Sequence, residues 1–273
     1  MGAALTEKNK TLPIRWMAEW IDPELPHDPE ERQSASCLRR RFAVEKAENA
    51  CLYITCHGLY TAFLNGRRVG DFVLAPGTGD YRKRLTVQHY DVSSLLREGE
   101  NELTVTLGDG WYRGNVGVDG LNNYYGSDIA LLCQMEVDGK PYLVSDENWE
   151  ASQNGPTRLN DLQIGESYDA RMEKITDWHG VIVRDFGFSN LAPTESVPIL
   201  EQERFPGRII HTPGGETVLD FGQNLFGSYG TEMKSFFWWY KQHTVSSVSL
   251  ACSSKVAVRS GSNAKMILFF RHR

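Results

Sequence analysis

The sequence predicts an all-β protein, a jelly-roll β-sandwich followed by the start of a second β-sandwich domain. Short apolar runs recur at roughly ten-residue spacing, with almost no amphipathic helix between them. Two of the junctions carry the dipeptides Asn65-Gly66 and Asp138-Gly139, whose residues tolerate the positive φ that a tight hairpin needs. The composition agrees, because 25 Gly and 11 Pro among 273 residues make a turn-rich chain.

Residues 1–35 read as a polar, proline-bearing arm that Trp16, Trp20 and Ile21 could pin to the body. From Leu38 the pattern alternates through Arg40, Phe42 and Val44, which predicts a half-buried strand. Cys51 to Cys56 is apolar almost throughout and predicts a strand buried on both faces. Phe63-Leu64-Asn65-Gly66-Arg67-Arg68-Val69 predicts a hairpin. After Tyr90, Asp91 or Ser93 can cap a single helical turn that Gly99 would stop. Glu102–Leu107 and Ile129–Val137 predict further strands, and Asp138-Gly139 turns the chain back through Tyr142-Leu143-Val144.

The sandwich is expected over 36–187. Pro193, Pro198, Pro206 and Pro213 make 188–215 a linker. A second β-unit opens within 216–273, where Thr217–Asp220 reads as a strand running into a turn at Phe221–Asn224. The end of the chain is different in kind. From Ser228 onward seven Lys or Arg stand against the single acidic Glu232, beside the apolar burst Phe236–Tyr240. The tail thus carries about +6, which against a whole-chain charge of −6 leaves about −12 for residues 1–227. It is either a basic amphipathic arm or a stretch never selected together with the body, as a shifted reading frame would give.

The net charge of −6 argues against a nucleic acid or an anionic membrane as partner, since phosphates call for a basic face. The N-terminus has no apolar signal core, and no later run approaches the ~18 apolar residues of a membrane span, so a cytoplasmic location is expected. Cys37, Cys51, Cys56, Cys133 and Cys252 are odd in number and lack CxxC spacing, which points to small buried hydrophobes in place of a zinc site or disulfide framework.

No nucleophile elbow, P-loop, dinucleotide fingerprint or metalloprotease helix is present. Asp80, Asp109, Asp119, Glu166 and Asp169 lie in loops where a glycosidase could place a carboxylate pair, but carboxylates beside glycines more often hold turns by accepting from backbone amides. The segment Gly108–Gly114 draws more interest. Three glycines let the chain bend around Trp111 and Tyr112 while Arg113 points a planar donor fork outward. An aromatic face with short polar groups suits a sugar, which offers C–H faces and hydroxyls. Asp80, Tyr81, Asp109, Trp111, Tyr112, Arg113 and Asn123 are therefore the candidate carbohydrate-binding residues. The same Trp111 could equally plug one end of the sandwich. A Ca²⁺ ion could sit among Asp109, Asn115, Asp119 and Asn123, whose oxygens are of the right type, although the spacing matches no EF-hand loop.

Five segments in order carry a resemblance: GLYTAFLNGRRVGDFVLAPGTGDYRKRLTVQHYDVSSLLREGENELTVTLGDGWYRG, SDENW, IGESYDAR, TDW and VLDFGQNLFG. Over about residues 16–227 the chain resembles the N-terminal region of bacterial α-L-rhamnosidases. The resemblance implies a multidomain inverting glycoside hydrolase acting on terminal α-linked L-rhamnose, with its catalytic groups in an (α/α)6 barrel downstream of the matched segments. This stretch would then be an accessory domain, inactive alone. Its implied partners are L-rhamnose or a rhamnosylated glycan, with Ca²⁺ in some members, and the enzyme's own barrel. The alternative is a packing domain that binds no sugar. One departure stands out: the family's Gly-Trp-Thr-Asp-Tyr is here Gly77-Thr78-Gly79-Asp80-Tyr81, without the aromatic.

Overall fold

The structure is a computed structural model. It describes residues 12, 14–23, 33–45, 48–195, 197–201, 208–211 and 213–214, together with strand backbones at 217–220, 229–233, 243–247, 255–258 and 268–269. The sequence readings of Pro206, the Phe221–Asn224 turn, the Phe236–Tyr240 burst and Cys252 lie outside the described residues.

The strands run β1 (Trp20–Asp22), β2 (Ser36–Val44), β3 (Ala50–His57), β4 (Leu59–Leu64), β5 (Arg67–Arg68), β6 (Leu85–Asp91) and β7 (Gly99–Gly108). A four-residue helix α1 (Gly110–Arg113) follows, then β8 (Ala130–Val137), β9 (Lys140–Val144), β10 (Glu150–Ser152), β11 (Thr157–Asp161) and β12 (Gly165–Tyr168). The sandwich closes with β13 (His179–Gly180), β14 (Ile182–Arg184) and β15 (Leu191–Pro193). One sheet has the order β14-β1-β8-β3-β6-β15, with β9 also on β8, and the other has the order β13-β10-β2-β7-β4-β5. A separate ribbon pairs β11 with β12. Beyond it, β16 (Arg208–His211) and β17 (Thr217–Asp220) pair antiparallel, and β17 continues onto β20 (Lys255–Val258) and β21 (Leu268–Phe269). β18 (Tyr229–Met233) and β19 (His243–Ser247) pair with each other as a two-stranded ribbon. The all-β expectation holds.

Period-two alternation makes the core. Leu38 on β2, Ala62 and Leu64 on β4, and Leu103, Val105 and Leu107 on β7 project from one sheet. They meet Ile21, Leu52, Ile54, Cys56, Leu131, Cys133 and Met135 from the other. Each of the buried Leu, Ile, Val and Met side chains contributes ~1.5–3 kcal/mol by leaving water. The first sheet is covered on its second face as well, where Ala130 and Leu132 join Ala18, Trp20, Tyr81, Leu85 and Tyr112. That double burial is why β3 and β8 read as continuous apolar runs.

Both hairpins form as the turn chemistry requires, with Asn65 at φ 54° and Gly66 at 75°, and Asp138 at 49° and Gly139 at 75°. The helical turn at Ser93–Leu95 forms too, but its N-cap position is Val92. Asp91 instead accepts from the Ser93 amide at 2.9 Å, and Gly99 begins β7.

Two elements lie outside the expected boundaries. Trp20–Asp22 of the expected arm is a strand inside the first sheet, paired to β14 and β8. Leu191–Pro193 of the expected linker pairs parallel to β6 at the sheet's rim. A proline is tolerated there because an edge strand need not donate from every residue. Cys56 and Cys133 are buried, and Cys37, Cys51, Cys56 and Cys133 are all free thiols. Among the described residues no helix is long and apolar enough to cross a membrane.

Candidate functional site

The aromatic loop lies on the outer face of the first sheet. β7 ends at Gly108, and Gly110 takes φ 54° in a corner where a Cβ would sit 2.6 Å from Leu59 Cγ, so the turn requires glycine. The Asn160 side-chain oxygen accepts from the Asp109 amide at 2.6 Å. Within α1, Arg113 turns inward. Its Nε donates to Asp109 Oδ1 at 2.7 Å, and the two side chains are 8% and 6% exposed. The outward donor fork expected from the sequence is thus an internal ion pair. One helical turn brings residues 109 and 113 onto the same side, where each charge offsets the other's desolvation.

The loop is pinned from two directions. Asp161, on β11, accepts from the Asn115 amide at 2.8 Å and from the Gln163 and Ile164 amides at 2.8 and 2.9 Å. The segment 123–125 closes the other side, with the Asn123 amide donating to the Arg113 carbonyl at 3.0 Å and Tyr125 to Tyr112 at 3.3 Å.

Beneath α1, the His57 ring at the end of β3 lies between two aromatic rings. Its centroid is 4.5 Å from Tyr112, stacked nearly parallel at 8°, and 4.7 Å from Trp20, with Phe186 edge-on at 4.6 Å. His57 Nδ1 has no hydrogen-bond partner, and burial lowers the imidazole pKa to about 4 against a smaller opposing pull from Asp128. Burial likewise pushes the Tyr112 phenol up to about 12 and Tyr81 higher still. Tyr81 packs edge-on to Tyr112 at 5.3 Å and donates to the Gly58 carbonyl at 3.3 Å.

Of the candidate carbohydrate-binding residues, Asp109, Tyr112, Arg113 and Tyr81 are buried together, whereas Asp80, Trp111 and Asn123 keep partial access to solvent. Asp109 already has a cation beside it in Arg113, Asp119 is exposed, and no group of three or more His, Cys, Asp or Glu fit to hold a metal occurs among the described residues. Asp169 is held down at about 2, chiefly by the Arg171 side chain, and its carboxylate also takes the Arg171 amide at 3.1 Å.

Two motif tryptophans have structural work as well. Trp149 is buried and donates to the Val144 carbonyl at 2.8 Å, and Trp178 lies under the Arg39 guanidinium at 4.0 Å. Next to Asp80 a cleft of about 380 Å³ opens, bounded by Gly77–Tyr81, Arg84–Thr86 and Glu195. Sequence reasoning missed His57, Arg84, Glu195, Asn160 and Asp161. His57 alone carried a local signal, as a polar end to a continuous buried strand.

The family model described as the alpha-L-rhamnosidase N-terminal domain matches residues 45–206. The chain belongs to the alpha-L-rhamnosidase N-terminal domain family. It is 42% identical over 214 residues to an alpha-L-rhamnosidase of Streptomyces avermitilis, covering 71% of this chain and 20% of that protein. Among solved structures it is similar to the native enzyme from Aspergillus terreus, with a TM-score of 0.79 and 28% identity over 92% of this chain and 36% of that one. It is also similar to the Streptomyces avermitilis alpha-L-rhamnosidase complexed with L-rhamnose, with a TM-score of 0.73 and 30% identity over 88% of this chain and 29% of that one. The chain spans about a fifth of the length of the curated relatives it matches.

The family match begins after β2, yet this rhamnosidase N-terminal domain cannot be completed without it. β2 pairs with β7 over nine residues, from Ser36 opposite Leu107 to Val44 opposite Gly99, and forms the middle of the second sheet. At the other end the match reaches past β15, the last strand of the sandwich.

Proposed function

We propose that this chain is a non-catalytic portion of a multidomain α-L-rhamnosidase whose substrate is a glycan ending in α-linked L-rhamnose, and that its sandwich is a scaffold for the rest of the enzyme. The observation that carries the scaffold reading is the inward Asp109–Arg113 pair together with the buried Tyr112–His57–Trp20 stack. Groups committed to each other inside the fold are not free to meet a sugar. The partner is the remainder of the same polypeptide. Exposed Val183, Phe186 and Phe188, on and just after the edge strand β14, supply apolar surface for such a contact.

The test is two-part. The full chain should release no product from an aryl α-L-rhamnoside. Amide resonances of Trp111, Tyr112 and Arg113 should stay unmoved on titration with L-rhamnose. Saturable shifts at those three residues would overturn the scaffold reading of the loop and restore it as a sugar contact.

A further inference from the structure

The chain contains two Asn-Gly dipeptides, Asn65-Gly66 in the β4–β5 hairpin and Asn154-Gly155 in the loop between β10 and β11, and the fold holds them in opposite ways. In an Asn-Gly pair the glycine's backbone nitrogen can attack the asparagine side-chain carbonyl, because no Cβ stands in the way. The attack closes a cyclic succinimide and expels ammonia. Water then opens the ring at one carbonyl or the other, leaving aspartate or isoaspartate, so water is the only co-reactant. The step needs an asparagine side chain able to swing round to its own backbone and a glycine amide that is not engaged elsewhere.

Asn65 is tied down. Its nitrogen donates to the Leu95 carbonyl at 2.9 Å and to Asn101 Oδ1 at 2.7 Å, and its oxygen accepts from the Glu102 amide at 3.1 Å, so rotation toward Gly66 breaks three bonds. Asn154 is exposed, and its side chain is held only through its nitrogen, which donates to Asp177 Oδ2. The Gly155 amide donates to no described residue, although the Arg158 guanidinium holds the Gln153 and Gly155 carbonyls at 2.6 and 3.1 Å. Packing also demands the glycine. A Cβ at position 155 would lie 2.9 Å from Cys37 Sγ and 3.4 Å from Ile175 Cδ1, so the fold keeps the labile pair in place.

The product forms beside a carboxylate. The Asn154 side chain is the largest of the influences that hold Asp177 below its ordinary pKa, and Ser152 Oγ adds a bond to Asp177 at 3.5 Å. Asp177 in turn leads into β13, an edge strand that pairs with β10 over two residues, Glu150 opposite Gly180 and Ala151 opposite His179. An aspartate at 154 replaces the donor with a second anion, and attraction becomes repulsion between like charges. So short an edge strand has few other bonds to hold it.

We propose that Asn154 is a site of spontaneous deamidation, and that the carboxylate it leaves repels Asp177 and loosens β13 from the edge of the second sheet.

Peptide mapping by mass spectrometry, on the full chain incubated near neutral pH, tests the first part. The peptide carrying Asn154 should gain the mass of an NH2-to-OH exchange, divided between aspartate and isoaspartate, at least tenfold faster than the peptide carrying Asn65. In urea, where neither side chain is held, the two should react at similar rates, and Asn154→Gln should abolish the fast reaction. Equal rates in the folded chain, or a faster reaction at Asn65, would overturn the site. Hydrogen exchange tests the second part. Asn154→Asp, which installs the product's charge, should speed exchange across His179–Gly180 severalfold, and adding Asp177→Asn should restore the protection. Unchanged exchange in Asn154→Asp, or faster exchange that Asp177→Asn does not reverse, would overturn the coupling to β13.

Discussion

Asp109 and Arg113 face each other across one turn of α1 in the interior, Nε to Oδ1 at 2.7 Å, with less than a tenth of either side chain exposed. Removing one partner leaves the other buried and uncompensated, which typically costs ~3–5 kcal/mol. Arg113→Met and Asp109→Ala should each lower the urea midpoint strongly. The double variant should lose clearly less than the two single losses added together, because neither orphaned charge remains. A double-mutant cycle from equilibrium unfolding measures this, and additive losses would contradict the pairing.

His57 makes stability depend on pH in a defined window. Its folded pKa is lowered to about 4, below the ordinary 6.5, because the ring is buried between Trp20 and Tyr112. Between those values the unfolded chain binds a proton that the folded chain does not, so stability is complete above about pH 6.5 and falls as pH drops toward 4. The full span is worth about 3 kcal/mol at ~1.4 kcal/mol per pKa unit. Urea titrations at pH 7.5, 6 and 5 should show the decline, and His57→Phe, which keeps an aromatic ring in the stack, should flatten it. Asp169, held at about 2, acts only below its ordinary value of 3.8, and so outside this window.

The Asn65-Gly66 turn separates backbone strain from hydrogen bonding. Gly66 has φ 75° and open space where a Cβ would go, so Gly66→Ala should cost ~1 kcal/mol from conformation alone. Asn65 also bridges two elements, donating to Asn101 Oδ1 at 2.7 Å and the Leu95 carbonyl at 2.9 Å, and accepting from the Glu102 amide at 3.1 Å. Asn65→Gly keeps the φ and loses the bonds, whereas Asn65→Ala loses both. The expected order of unfolding midpoints is wild type, then Asn65→Gly, then Asn65→Ala. Equal midpoints for the last two would mean that φ carries no cost at that position.

These cases mark where the sequence is readable. The hairpins and the alternation in β2 and β7 are local, so residue order alone reveals them. The direction of Arg113 is not, because a glycine-flexed run says that the chain bends and not that residues 109 to 113 form a helical turn. Asn160 and Asp161 reach the loop from 51 and 46 residues away, with nothing in their own neighbourhood to announce it. The cleft joins Arg84 to Glu195 across 111 residues. β1 and β15 are too short, at three residues each, to display a period.

The loop carboxylates should not support hydrolysis by this chain alone. An inverting glycosidase needs one carboxyl that stays protonated to donate to the leaving oxygen and a second, roughly 6.5–9.5 Å away, that activates water. Asp169 is held ionised down to about 2 by Arg171, the opposite of what a general acid requires. Asp109 is committed to Arg113 inside the fold. Glu166 sits on β12 of the separate ribbon, opposite Asn160. Aryl α-L-rhamnoside turnover by the chain is therefore expected at the uncatalysed rate, unchanged by Glu166→Gln or Asp169→Asn. Turnover above background that either variant abolished would place an active carboxylate pair in these loops and contradict the scaffold role.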